Sequence, residues 1–248
     1  MNLFIISISL ALPVLITGII FLSVKIKTSY LRLLLAFSAA YLFTISLIHL
    51  LPECYENANK YTSGIFILVG FFIQIIIEYF SSGIEHGHVH MHSDACKKHL
   101  PIGMIFGLYL HSMLEGLPIY QSNIIPTDGH TLLNVQQSMI VGISLHNIPI
   151  AIAFVSLLLE HHASRGRIIL LLLFFALMAP LGCFISYLLT TLGVTNYEGF
   201  LKASFGVVIG IFLHISTAIM FETSENHKYN LTKIGSMICG IIVALMIS

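Results

Sequence analysis

Apolar residues run almost without interruption through eight stretches of this chain, about residues 3–24, 30–52, 61–80, 101–121, 132–158, 168–192, 200–221 and 231–248. Short polar segments part them, and the last stretch is the shortest. Roughly 20 apolar residues of helix cross a hydrocarbon core, so each stretch is a candidate span. The runs are continuous and lack the period-two alternation of a barrel strand, so the pattern predicts helices, which close their backbone hydrogen bonds within the segment. The first stretch has no basic n-region and outlasts the apolar part of a secretory signal, which makes it a span as well. The expected fold class is an all-α integral membrane protein with eight transmembrane helices, residues 1–248 forming a single transmembrane domain.

Composition agrees: 57% of residues are hydrophobic and 9% charged, too little polar surface to cover a soluble globule of 248 residues. The lipid bilayer is therefore the expected environment. With eight spans both termini share a side, and the basic residues then divide unevenly. Lys25, Lys27, Arg32, Lys97, Lys98, Arg165, Arg167, Lys228 and Lys233 fall on one side, against Lys60 and Lys202 on the other. The positive-inside rule puts both termini outside. Formal net charge is zero and no long basic run occurs, so nucleic acid is not an expected partner. The longest polar interruption, residues 81–100, is then cytoplasmic and divides the spans into three, two and three, an arrangement suited to a transporter with flanking units around a central pair. Cys54, Cys96, Cys183 and Cys239 form no CxxC pair, so neither a disulfide framework nor a zinc-finger spacing is expected.

Polar residues inside the apolar stretches change the picture. His111 and Glu115 lie near the midpoint of LPIGMIFGLYLHSMLEGLPIYQ, where an unpaired charge costs about 3 kcal/mol or more. Their i, i+4 spacing puts both on one helix face, where an imidazole nitrogen and a carboxylate can converge on one cation. The fifth stretch carries His146 and Asn147. Pro118 follows the first pair and Pro149 the second, and each proline is expected to kink its span and free the carbonyl four residues earlier, at Leu114 and Leu145. Nitrogen and carboxylate donors suit Zn(II), Fe(II), Mn(II) or Co(II), whereas Ca(II) and Mg(II) prefer oxygen alone. A hydrogen-bonded His–Glu pair fastening two helices is the plainer reading of the same residues.

His49 and Glu53, in LIHLLPE at the outer end of the second stretch, repeat the spacing and are read as a pathway element or as an interfacial carboxylate beside a histidine. Glu78 and Glu222 read as interfacial residues at cytoplasmic ends, His214 as a pathway or core histidine, and Gln136 and Gln137 as loop-facing or helix-packing amides. The loop EHGHVHMHSDACKKH gathers His86, His88, His90, His92 and His99 with Glu85 and Asp94, a set able to bind borderline cations weakly, or simply to be solvated.

These motifs together resemble the ZIP (Zrt/Irt-like) divalent metal transporters: HSMLEG at 111–116, HNIP at 146–149, HLLPE at 49–53 and the His-rich loop between the third and fourth spans. The resemblance implies transport of a divalent transition metal, Zn(II) first, toward the cytoplasm, with no catalytic cofactor. It implies a mid-membrane site at His111, Glu115, His146 and Asn147, and it puts Ser112 at a position that is Asn in some members. It also exposes a departure: many members continue HNIP with Glu-Gly, the glutamate bridging two metals, and Ile150 and Ala151 stand there here. One principal metal position is expected. A homodimer is compatible with this reading, and the compact chain points to a bacterial inner membrane. An intramembrane zinc-dependent hydrolase is the alternative, although HExxH is absent, and a haem protein using His111, His146, His49 and His214 is a further rival. No GxxxxGK[ST] loop is present for nucleotide coupling.

Overall fold

The computed structural model describes residues 2–24, 26–56, 60–81, 102–120, 133–193, 197–221 and 231–247. Among these, every regular element is a helix: α1 (Leu3–Phe21), α2 (Thr28–Ile45), a π turn (Ser46–Leu50), α3 (Leu51–Glu56), α4 (Lys60–Ser81), α5 (Ile102–Gly116), α6 (Val135–Glu160), α7 (Arg165–Thr191), α8 (Tyr197–Phe221) and α9 (Leu231–Ile247). Each of the eight apolar stretches carries a helix among the described residues. Among the described residues six helical segments are long and apolar enough to cross a bilayer, whereas α5 and α9 have 15 and 17 residues.

α2, the π turn and α3 form one continuous path through the second stretch. Pro52 offers no N–H to the turn before it, and the helix passes this point with a widened turn in which Leu51 N–H bonds to the Ser46 carbonyl. The fourth stretch departs from expectation. α5 stops at Gly116, and Pro118 lies in the turn that follows rather than kinking a longer helix. The Leu114 carbonyl is not freed either, because it accepts from Leu117 N–H at 3.2 Å. A proline just past a helix end terminates it, since it can neither donate nor let the preceding residue stay helical with ease. Pro149, in contrast, lies inside α6 as expected.

The helices pack as two groups. α5 packs on α7 and α1 on both α6 and α7, while α4 packs on α8 and α2 on both α8 and α9. The seam between the groups is made mainly by α2 against α6 and α4 against α5. Lipid tails are as apolar as leucine, so contact between membrane helices depends on close packing, which small residues permit. A side chain on Gly210 or Gly70 would fall on the backbone of α4 or α8, and one on Gly116 or Gly182 would fall on the facing backbone of α7 or α5. α6 is the central helix, with 72% of its apolar window buried against 22% for α1. Outward side chains such as Ile8, Leu12 and Ile16 on α1, or Leu173, Leu177 and Phe184 on α7, form an apolar exterior suited to lipid.

Candidate metal centre

α5 and α6 bring three buried ligand-type side chains together. Nε2 of His111 lies 3.2 Å from Oε1 of Glu115, one turn further along α5. The His146 ring, from α6, stands edge-on to His111 with centroids 6.1 Å apart and planes at 84°. All three residues are fully buried, and one potential ligand atom from each lies within 4.8 Å of the others. Tetrahedral ligands at about 2.1 Å from Zn(II) sit about 3.4 Å apart, so modest side-chain movement closes this trio on an ion. Among the described residues it is the only such cluster of three or more.

The helix contacts explain why these side chains meet. Gly116 and Gly182 hold α5 against α7, with support from the Tyr109 hydroxyl, which donates to the Leu171 carbonyl at 2.7 Å. Gly142, one turn before His146, lets Tyr41, Leu42 and Ile45 of α2 close on α6. The N-terminal start of α6 is fixed by a capping box between Asn134 and Gln137, and Gln136 donates to the Ile119 carbonyl at 2.9 Å. Both glutamines are thus packing and capping amides.

Buried polar groups normally find hydrogen-bond partners, so exceptions require a reason. Neither Glu115 oxygen has a hydrogen-bond donor, and Asn147 Oδ1 is likewise unsatisfied at 2% exposure. Acceptors gathered without donors suit a cation. Ser112 is buried beside His111. Ile150, one turn beyond His146, is fully buried where the resemblance places a carboxylate, and α7 contains no acidic residue.

His49 and Glu53 do not join the cluster. His49 sits in the π turn and Glu53 in α3, so the i, i+4 geometry of a regular α-helix does not hold between them. Nε2 of His49 is buried with no hydrogen-bond partner. Glu78 and His214, expected separately, pair across α4 and α8 at 2.7 Å, with Phe71 edge-on to the imidazole. His86, His88, His90, His92, His99, Cys96 and Glu222 lie outside the described residues. Gln74, part of none of the sequence motifs, is fully buried in α4 and lies 3.1 Å from His111 Nδ1. An amide within FFIQIIIEYF, four residues before Glu78, was the available signal.

Fold and site together define an apolar, helical protein of the membrane class with a buried His/carboxylate cluster between two helices. A sequence model described as ZIP Zinc transporter matches residues 98–248, more than half of the chain. The chain belongs to the ZIP family of metal transporters. Zinc transporter ZIP9-B of Xenopus laevis is 25% identical over 216 residues, which cover 78% of this chain and 67% of that protein.

Proposed function

We propose that the chain carries a divalent transition metal, Zn(II) first and Fe(II), Mn(II) or Co(II) as alternatives, toward the cytoplasm through a site made by His111, Glu115 and His146, with Asn147 as a weak fourth donor. The observation behind this reading is the fully buried trio between α5 and α6. Two neutral imidazoles and one carboxylate leave a coordination position open, and a site that must release its cargo benefits from an incomplete protein shell. The buried Ile150 supports one principal metal position.

The 3+2+3 arrangement with both termini outside belongs to the same proposal. Exchanging spans one to three with six to eight, and four with five, maps the α4–α8 contact onto α9–α2 and the α5–α7 contact onto α6–α1. Paired contacts of this kind are what a structural repeat around a central pair produces. His49, outside the cluster with an unsatisfied ring nitrogen, and Glu53 serve as an outer pathway element in this scheme.

The test is uptake of Zn, Fe, Mn and Co ions into sealed proteoliposomes. His111→Ala, Glu115→Ala and His146→Ala are each expected to lower uptake by about tenfold or more, since each removes one of three ligands. If all three variants carry metal as well as wild type, the site assignment fails.

A further inference from the structure

The three ligands come from the helix group of α1, α5, α6 and α7, yet a hydrogen bond to one of them comes from the other group. Oε1 of Gln74, on α4, lies 3.1 Å from Nδ1 of His111, and both residues are fully buried. An amide oxygen only accepts, so this contact requires the proton on Nδ1. A neutral imidazole carries one N–H. With that proton on Nδ1, the lone pair is on Nε2, the nitrogen 3.2 Å from Glu115. The lone pair of Nε2 and an oxygen of Glu115 then face one another, an arrangement a cation between them relieves. The opposite tautomer would turn an N–H toward the carboxylate and block ligation at Nε2.

We propose that Gln74 is a positioning residue for metal transport, holding His111 in the Nδ1–H tautomer and fixing its ring plane from across the seam between the two helix groups. The proposal rests on His111 being a ligand. Hydrogen bonds to the non-ligating nitrogen of a metal-bound histidine orient the ring and raise its basicity. Here that partner is anchored elsewhere: α4 is held against α8 by Gly70, Gly206 and Gly210, and meets α5 where Gly107 faces Ile77 and Ser81. Ligands from one group and the tautomer from the other make the site's affinity depend on their relative register.

The experiment uses the purified full chain in detergent. Zn(II) and Co(II) affinities are measured by calorimetry for wild type, Gln74→Leu, Gln74→Glu and His111→Ala, with metal-free thermal unfolding of each. Gln74→Leu is expected to weaken binding about 10- to 100-fold, and Gln74→Glu, which restores an acceptor oxygen, to bind within about threefold of wild type or more tightly. Leucine nearly matches glutamine in volume, so a residue that merely filled space would leave affinity unchanged in Gln74→Leu. Nitrogen-15 NMR of histidine-labelled wild type, with His111 assigned by its loss in His111→Ala, is expected to show Nδ1 protonated in the metal-free protein and Nε2 shifted by metal. That measurement decides the matter even if Gln74→Leu fails to fold. An Nε2–H tautomer in wild type overturns the proposal, as does wild-type affinity in folded Gln74→Leu when His111→Ala no longer binds. Wild-type affinity in His111→Ala would instead remove the site reading, and the proposal with it.

Discussion

Glu115 shows how one residue carries opposite consequences for stability and for binding. Its carboxyl is fully buried and its oxygens have no hydrogen-bond donor, an expensive condition in a protein interior and more so at membrane depth. Glu115→Gln keeps the shape and removes the charge. The metal-free variant is expected to gain about 1–3 kcal/mol of stability, because a neutral amide costs less to bury than a carboxylate, even one with a histidine nitrogen 3.2 Å away. Added Zn(II) should then raise its unfolding temperature far less than it raises that of wild type, since stabilisation by a ligand follows its affinity for the folded state. Thermal unfolding with and without metal measures both effects. An undiminished metal-induced rise would mean that Glu115 does not ligate. His111 and Glu115 were legible in the sequence because charge in an apolar run stands out. Gln74 was not, since an uncharged amide gains meaning only from its neighbour in space.

At the scale of the elements, glycines decide how closely helices approach, and the two kinds of glycine here give opposite predictions. A side chain on Gly182 would fall on the Met113 carbonyl, whereas one on Gly235, within α9, meets nothing within 4 Å. Gly182→Ala should push α7 from α5 at a cost of about 1–3 kcal/mol, as overpacking does. Gly235→Ala should instead stabilise by about 0.4–1 kcal/mol through reduced freedom of the unfolded chain. Unfolding midpoints of the two variants in one detergent test this, and equal shifts would contradict the packing described. Helix existence was readable from hydrophobic runs. The ends were less so: Pro118 had to stop α5 or kink it, and nothing local in sequence distinguishes these outcomes, while the π turn at Ser46–Leu50 altered a spacing that looked regular on paper.

For the whole molecule, the transport reading separates the buried site from the His-rich loop. Deleting residues 86–92 should change the rate or metal dependence of uptake while leaving transport in proteoliposomes intact. Complete loss in a correctly inserted protein would show that the loop belongs to the pathway itself. The sequence by itself determined that this is a helical membrane protein, because continuous apolar runs admit only structures that satisfy their own backbone in lipid. It also placed His and Glu donors inside adjacent apolar runs, a donor set of the kind that suits a transition metal. Only the tertiary structure decided which of those donors meet. His111, Glu115 and His146 converge, His49 and Glu53 stand apart, Glu78 finds His214, and Gln74 reaches across the seam to His111. The reason is geometric: the spacing of residues along one helix is set by its backbone, whereas contacts between helices depend on which partner each glycine faces, which the spacing within a single helix does not reveal.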